Sequence, residues 1–128
     1  MTQWTDWLGQ LAAAGKGPVP ITDVVRGKAW SWGINLDADF SGATMAGEVR
    51  AAPDAAGSPL ATFTVSSPVV ADGMTRFTVS LDASATGGLP ADADGNGVEA
   101  WPYMLFLMPS GGTQELLVGG LLTAIGSV

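Results

Sequence analysis

From Ile21 onward the apolar residues of this chain recur at every second position, in short runs broken by glycine, proline and aspartate. That period puts one side of each run on one face of a β-strand, and it restricts the fold more than any other feature. Trp30, Trp32, Ile34 and Leu36 alternate with Ala29, Ser31, Gly33 and Asn35. Met45, Gly47, Val49 and Ala51 alternate with Thr44, Glu48 and Arg50, and Ala61, Phe63 and Val65 with Thr62, Thr64 and Ser66. Phe77, Val79 and Leu81 alternate with Arg76, Thr78 and Ser80. Trp101, Tyr103, Leu105 and Leu107 start a more apolar run, expected to be a central strand covered on both faces. Two further strands are expected over residues 113–118 and 121–128.

The breaks carry turn chemistry: Ser41-Gly42, residues 53–59, Asp72-Gly73, residues 87–97 and Ser110-Gly111-Gly112. Seven or eight short strands at this spacing predict an all-β, antiparallel, Ig-like β-sandwich over residues 18–128. One helical turn is expected over residues 82–86. Residues 1–17 follow a different period. Trp4, Trp7, Leu8 and Leu11 stand at i, i+3, i+4 and i+7, the stripe of one helical face, and Gly15 and Pro18 stop it. A helix this short is marginal alone and must dock on something. Tryptophan is a favoured interface anchor, so Trp4, Trp7, Leu8 and Leu11 are expected to form an intermolecular contact in preference to one within the chain.

Charge narrows the function. Only 13% of the 128 residues are charged, where about a quarter is ordinary, and the net charge is −7. The five basic residues are scattered, so the cationic cluster that nucleic acid requires is missing. No apolar run reaches the roughly 18 residues of a membrane span, and residues 1–11 lack the basic start and apolar stretch of a signal peptide. The expected partners are therefore proteins, in an oligomer or larger assembly, with neither nucleic acid nor membrane.

Chemistry-bearing motifs are few. Histidine and cysteine are absent, which removes the commonest general base, thiolate nucleophiles and disulfides. Asp37 and Asp39 fall on one side of an extended segment, at a spacing two catalytic carboxylates could use. They sit at a strand end beside Ser41-Gly42 with no base or cation in support, so a solvated turn is the better reading and no enzyme is expected. Asp92-Ala93-Asp94-Gly95-Asn96-Gly97 matches the first six positions of an EF-hand calcium loop. The bidentate glutamate is missing at position twelve, which is Tyr103, and Glu99 falls at position eight. Asp92, Asp94, Asn96 and Glu99 are thus candidate ligands of an irregular calcium loop, against the alternative of a polar turn. No other cofactor is expected. Trp30, Trp32 and Trp101 stand in core phase, with a sugar-stacking platform as the alternative.

A further pattern runs through residues 21–128. Ile21-Thr22-Asp23-Val24-Val25-Arg26-Gly27 leads into an alternating strand, and Gly47-Glu48-Val49-Arg50 precedes a Pro/Gly-rich loop. Phe77-Thr78-Val79-Ser80-Leu81 runs into Ala83-Ser84-Ala85-Thr86, and Tyr103 to Leu107 leads to Pro109-Ser110-Gly111-Gly112 and Leu116-Leu117-Val118-Gly119-Gly120. This order resembles small phage virion modules, such as the N-terminal domain of lactococcal-type baseplate upper proteins and tail-fibre attachment domains. The resemblance implies an Ig-like sandwich that fixes a fibre or receptor-binding part to a particle, located in the virion and in the host cytoplasm during assembly. Three classes of function stay open: a virion structural or assembly protein of tail, baseplate or capsid surface; a carbohydrate- or cell-surface-binding module, with or without calcium; and a soluble regulator acting by protein contact.

Overall fold

Two β-sheets face one another across a shared apolar core in the computed structural model, which describes residues 5–40, 42–51, 57–90 and 98–125. The elements among these residues are α1 (Thr5–Ala13), β1 (Ile21–Val25), β2 (Trp30–Leu36), β3 (Thr44–Val49), β4 (Ala61–Thr62) and β5 (Thr64–Val65). There follow β6 (Val69–Ala71), β7 (Met74–Leu81), α2 (Ala83–Gly87), β8 (Val98–Met108) and β9 (Glu115–Ile125). The first sheet has the order β1-β9-β8-β3-β4. The second has the order β2-β7-β5, and β6 pairs with β7 beyond β5.

The alternation read from the sequence sets which side chains enter the core. Ile34, Met45, Val49, Phe77, Val79, Leu81, Tyr103, Leu105 and Leu107 are all buried, and each belongs to the inward set of its run. Burying one such side chain is worth about 1.5–3 kcal/mol, and a one-residue slip would turn a whole set outward. The registers of β2 on β7 and of β3 on β8 are accordingly unbroken. Phe63 sits where the two sheets meet, its ring 5.9 Å from Trp30 and 6.1 Å, edge-on, from Tyr103.

Four details depart from the sequence reading. The run Ala61, Phe63, Val65 is not one strand: β4 pairs with β3, β5 pairs with β7, and the chain changes sheet at Phe63. The two strands expected over 113–118 and 121–128 are one, because Gly119-Gly120 lies inside β9 and pairs with Met104 and Tyr103. These glycines answer to packing. A side chain on Gly120 would run into the Val19 carbonyl, and one on Gly119 would begin 3.3 Å from the Leu11 methyls. Nor is the sandwich wholly antiparallel, since β1 runs parallel to β9. The Gly119 N–H donates to Lys16 O at 3.0 Å and its carbonyl accepts from Val19 N–H at 3.0 Å, which lays the chain before β1 alongside β9 in the same direction. Finally, Val69–Ala71 forms a short strand, turned onto β7 by Asp72 and Gly73 at φ 54° and 75°. Two successive positive φ angles are those of a type I′ hairpin, whose twist suits the strands it joins.

Pro102 lies within the central strand β8 although proline cannot donate to a ladder. Its carbonyl accepts from Arg50 N–H at 3.0 Å, one residue past the end of β3. The bond it cannot make therefore falls where that neighbour strand is already ending.

Candidate interaction surfaces

α1 leans on β9. Leu11 is buried over Gly119, and Trp7 and Leu8, one turn earlier on the same stripe, are half-buried. Leu11 is thus taken up inside the chain, while Trp7 and Leu8 keep part of their surface outside. Trp4 lies outside the described residues. Of the predicted calcium ligands, Asp92, Asp94 and Asn96 also lie outside them, and Glu99 is placed by its backbone in β8, opposite Ala124. Among the described residues no group of three or more acidic side chains comes together in a way that could hold a metal ion. Asp37 and Asp39 are exposed in the turn after β2.

At the end of the sandwich that holds α2, polar contacts tie separate segments together. The Asp82 carboxylate caps α2 by accepting from Ala85 N–H at 2.7 Å. Thr86, fully buried, accepts from Gly27 N–H at 3.1 Å and donates to the Lys28 carbonyl at 2.9 Å, pinning α2 to the β1–β2 turn. Arg26 spreads its guanidinium 5.4 Å from the Trp101 ring centre and donates from Nη1 to the Leu89 carbonyl at 2.8 Å. Its Nε and Nη2 are buried without a hydrogen-bond partner among the described residues, leaving the ring face as their electrostatic contact. At the opposite end Thr75, also fully buried, donates to Ala38 O at 2.8 Å and accepts from Phe40 N–H at 2.7 Å. Sequence reading singled out neither threonine as a buried anchor, because each looks like an ordinary polar member of a turn or an alternating strand.

Tyr103 is the single tyrosine, and it lies in the core with its hydroxyl donating to the Val19 carbonyl. Burial pushes its titration well above the ordinary phenol range, because the phenolate would have little water around it.

Trp30 and Trp101 belong to the core, as their phase predicted. Trp32 is half-buried and lines a groove of about 370 Å³ between β1 and β2, together with Val19, Ile21, Asp23 and Trp30. The Trp30 indole N–H donates to Asp23 at 2.7 Å and so joins the two walls.

Among the described residues, large apolar side chains are exposed in two places: Val19, Val25 and Ile125 along β1 and β9, and four more at the end of the sandwich that holds the β6–β7 hairpin. Val69 is 63% exposed, Val70 37%, Met74 41% and Met108 44%. Met108 pairs with Thr44, which follows the turn anchored on Thr75, so the four share that end. No protein-family model matches the sequence, and no curated protein matches it either.

Proposed function

We propose that this protein is an Ig-like, non-catalytic structural or assembly component of a phage virion, working through protein–protein contacts at tail, baseplate or capsid surface. The observation that carries the reading is the apolar end formed by Val69, Val70, Met74 and Met108. Large apolar side chains clustered on a lightly charged surface are costly to leave in water and are typical of contact sites. The Ig-like assignment draws support from the sheet orders, β1-β9-β8-β3-β4 against β2-β7-β5, and from the alternating core. The virion assignment draws on the motif order along residues 21–128, from Ile21-Thr22-Asp23-Val24-Val25-Arg26-Gly27 to Leu116-Leu117-Val118-Gly119-Gly120.

Mass spectrometry of gradient-purified particles from the source of the sequence tests it. The chain is expected at a fixed copy number relative to the major particle proteins. Its absence from particles, with soluble protein present in the same lysate, would overturn the reading.

A further inference from the structure

A sheet of this kind has two edges, and the two sheets therefore present four. Three are blunted among the described residues. β4 is two residues long, β5 and β6 are short and separated by Ser66, Ser67 and Pro68, and β1 is bulged between Ile21 and Val24. Short length, proline and bulges are the usual means of keeping another strand away.

β2 has none of them. Its seven residues pair with β7 in unbroken register from Trp30–Leu81 to Leu36–Thr75, and they include neither proline nor a charged side chain. It stands at the end of its sheet, so among the described residues no strand is hydrogen-bonded to its outward backbone groups, although β1 approaches it where Trp30 donates to Asp23. The groove of about 370 Å³ lies between residues 30–32, the first part of β2, and residues 19–23, with Ile21, Trp30 and Trp32 among its apolar walls. Arg76 lies across Gly33 on the sheet's outer face and does not line the groove.

We propose that the free edge of β2 receives an extended strand from another protein chain. The strand carries small aliphatic side chains at alternate positions, which enter the groove, and a lysine or arginine that pairs with Asp23. Main-chain hydrogen bonds along an edge supply affinity, and pockets for every second side chain supply selectivity. A second copy docking through the same β2 edge does not fit. Its own β2 already turns Trp30 and Ile34 into its core, so pairing two β2 edges would leave both grooves empty. A segment that belongs to no sandwich can fill both the edge and the groove. Charge agrees: the net charge is −7, and the groove lining carries Asp23 and no lysine or arginine. This deepens the assembly reading and rests on it for the source of the strand, whereas the edge and the groove stand without it.

The test uses the intact protein and a synthetic nine-residue peptide of alternating valine and threonine with a lysine at each end. Amide hydrogen exchange is followed with and without it. Protection is expected to rise across residues 30–36 and to stay unchanged in β4, β5 and β6. Two N-methylated versions of the peptide, blocked at odd or at even positions, separate strand pairing from adsorption. One is expected to lose binding and the other to keep it, because alternate N–H groups point to opposite sides of a strand. Asp23→Asn is expected to weaken binding about two- to fivefold, the range of an exposed ion pair. No protection of residues 30–36 at millimolar peptide overturns the proposal, as do two N-methylated peptides that bind equally. A peptide-free protein already dimerised through β2 would overturn the choice of occupant. Peptide binding by a chain missing from particles would defeat the virion reading alone, and a particle-bound chain indifferent to the peptide would defeat this one alone.

Discussion

At Thr86 one buried hydroxyl serves two backbone groups of the β1–β2 turn, the Gly27 N–H and the Lys28 carbonyl. Valine has nearly the same shape but can satisfy neither. Thr86→Val is therefore expected to cost about 1–3 kcal/mol, about 0.5–1.5 for each of two part-buried hydrogen bonds, read as a lower urea midpoint at unchanged slope. Tyr103 gives a second test at this scale. Its folded-state titration is raised by burial above the ordinary value near 10, so the unfolded chain releases the proton first. Stability is then complete below about pH 10 and declines as pH climbs from there toward the folded value. With a single tyrosine the signal is unambiguous. Phenolate absorbance should stay absent past pH 10 while the protein is folded and appear together with loss of its circular dichroism. Neither role could be read locally, since Gly27 is 59 residues from Thr86 and Val19 is 84 from Tyr103.

Among the elements, α1 is the one most dependent on a neighbour. Nine residues are too few to hold a helix in water, and Leu11 over Gly119 is its buried contact with β9. Leu11→Ala is expected to raise hydrogen exchange throughout α1, by tenfold or more for a loss above about 1.4 kcal/mol, while β7 and β8 keep their protection. Equal loss in the sandwich would mean that α1 and the sheets unfold as one unit. The Trp7, Leu8 and Leu11 part of the expected stripe lies in α1 and was legible in the sequence as a helical face. Where it lands was not, because periodicity reports that a face is apolar and is silent about what covers it. β9 shows the same limit. Gly119-Gly120 reads locally as a break, yet in the sheet the two glycines admit Val19 and Leu11 at close range.

For the whole molecule, the uneven distribution of exposed apolar groups has the clearest consequence. Val69 of β6 pairs with Arg76, Met74 opens β7 opposite Ala71, and both side chains are exposed. Val69→Ser with Met74→Ser is expected to change folding stability by no more than about 1 kcal/mol, near the small range seen at exposed sites. The same pair is expected to reduce incorporation into particles at equal expression, measured by quantitative mass spectrometry. Normal incorporation of the double variant would place the contact elsewhere on the surface.

The period-two alternation by itself determined which side chains turn inward, because a strand's side chains point to opposite faces whatever lies beside it. It also marked the Asp72-Gly73 turn, whose positive φ angles glycine and aspartate tolerate locally. Tertiary structure alone decided the rest. The parallel pairing of β1 with β9, the change of sheet at Phe63, the docking of α1 and the place of β2 at the end of its sheet all depend on residues far apart in the chain. Such contacts form only after distant segments meet, and their energy lies in shape and backbone hydrogen bonding between those segments, which no local window of sequence contains.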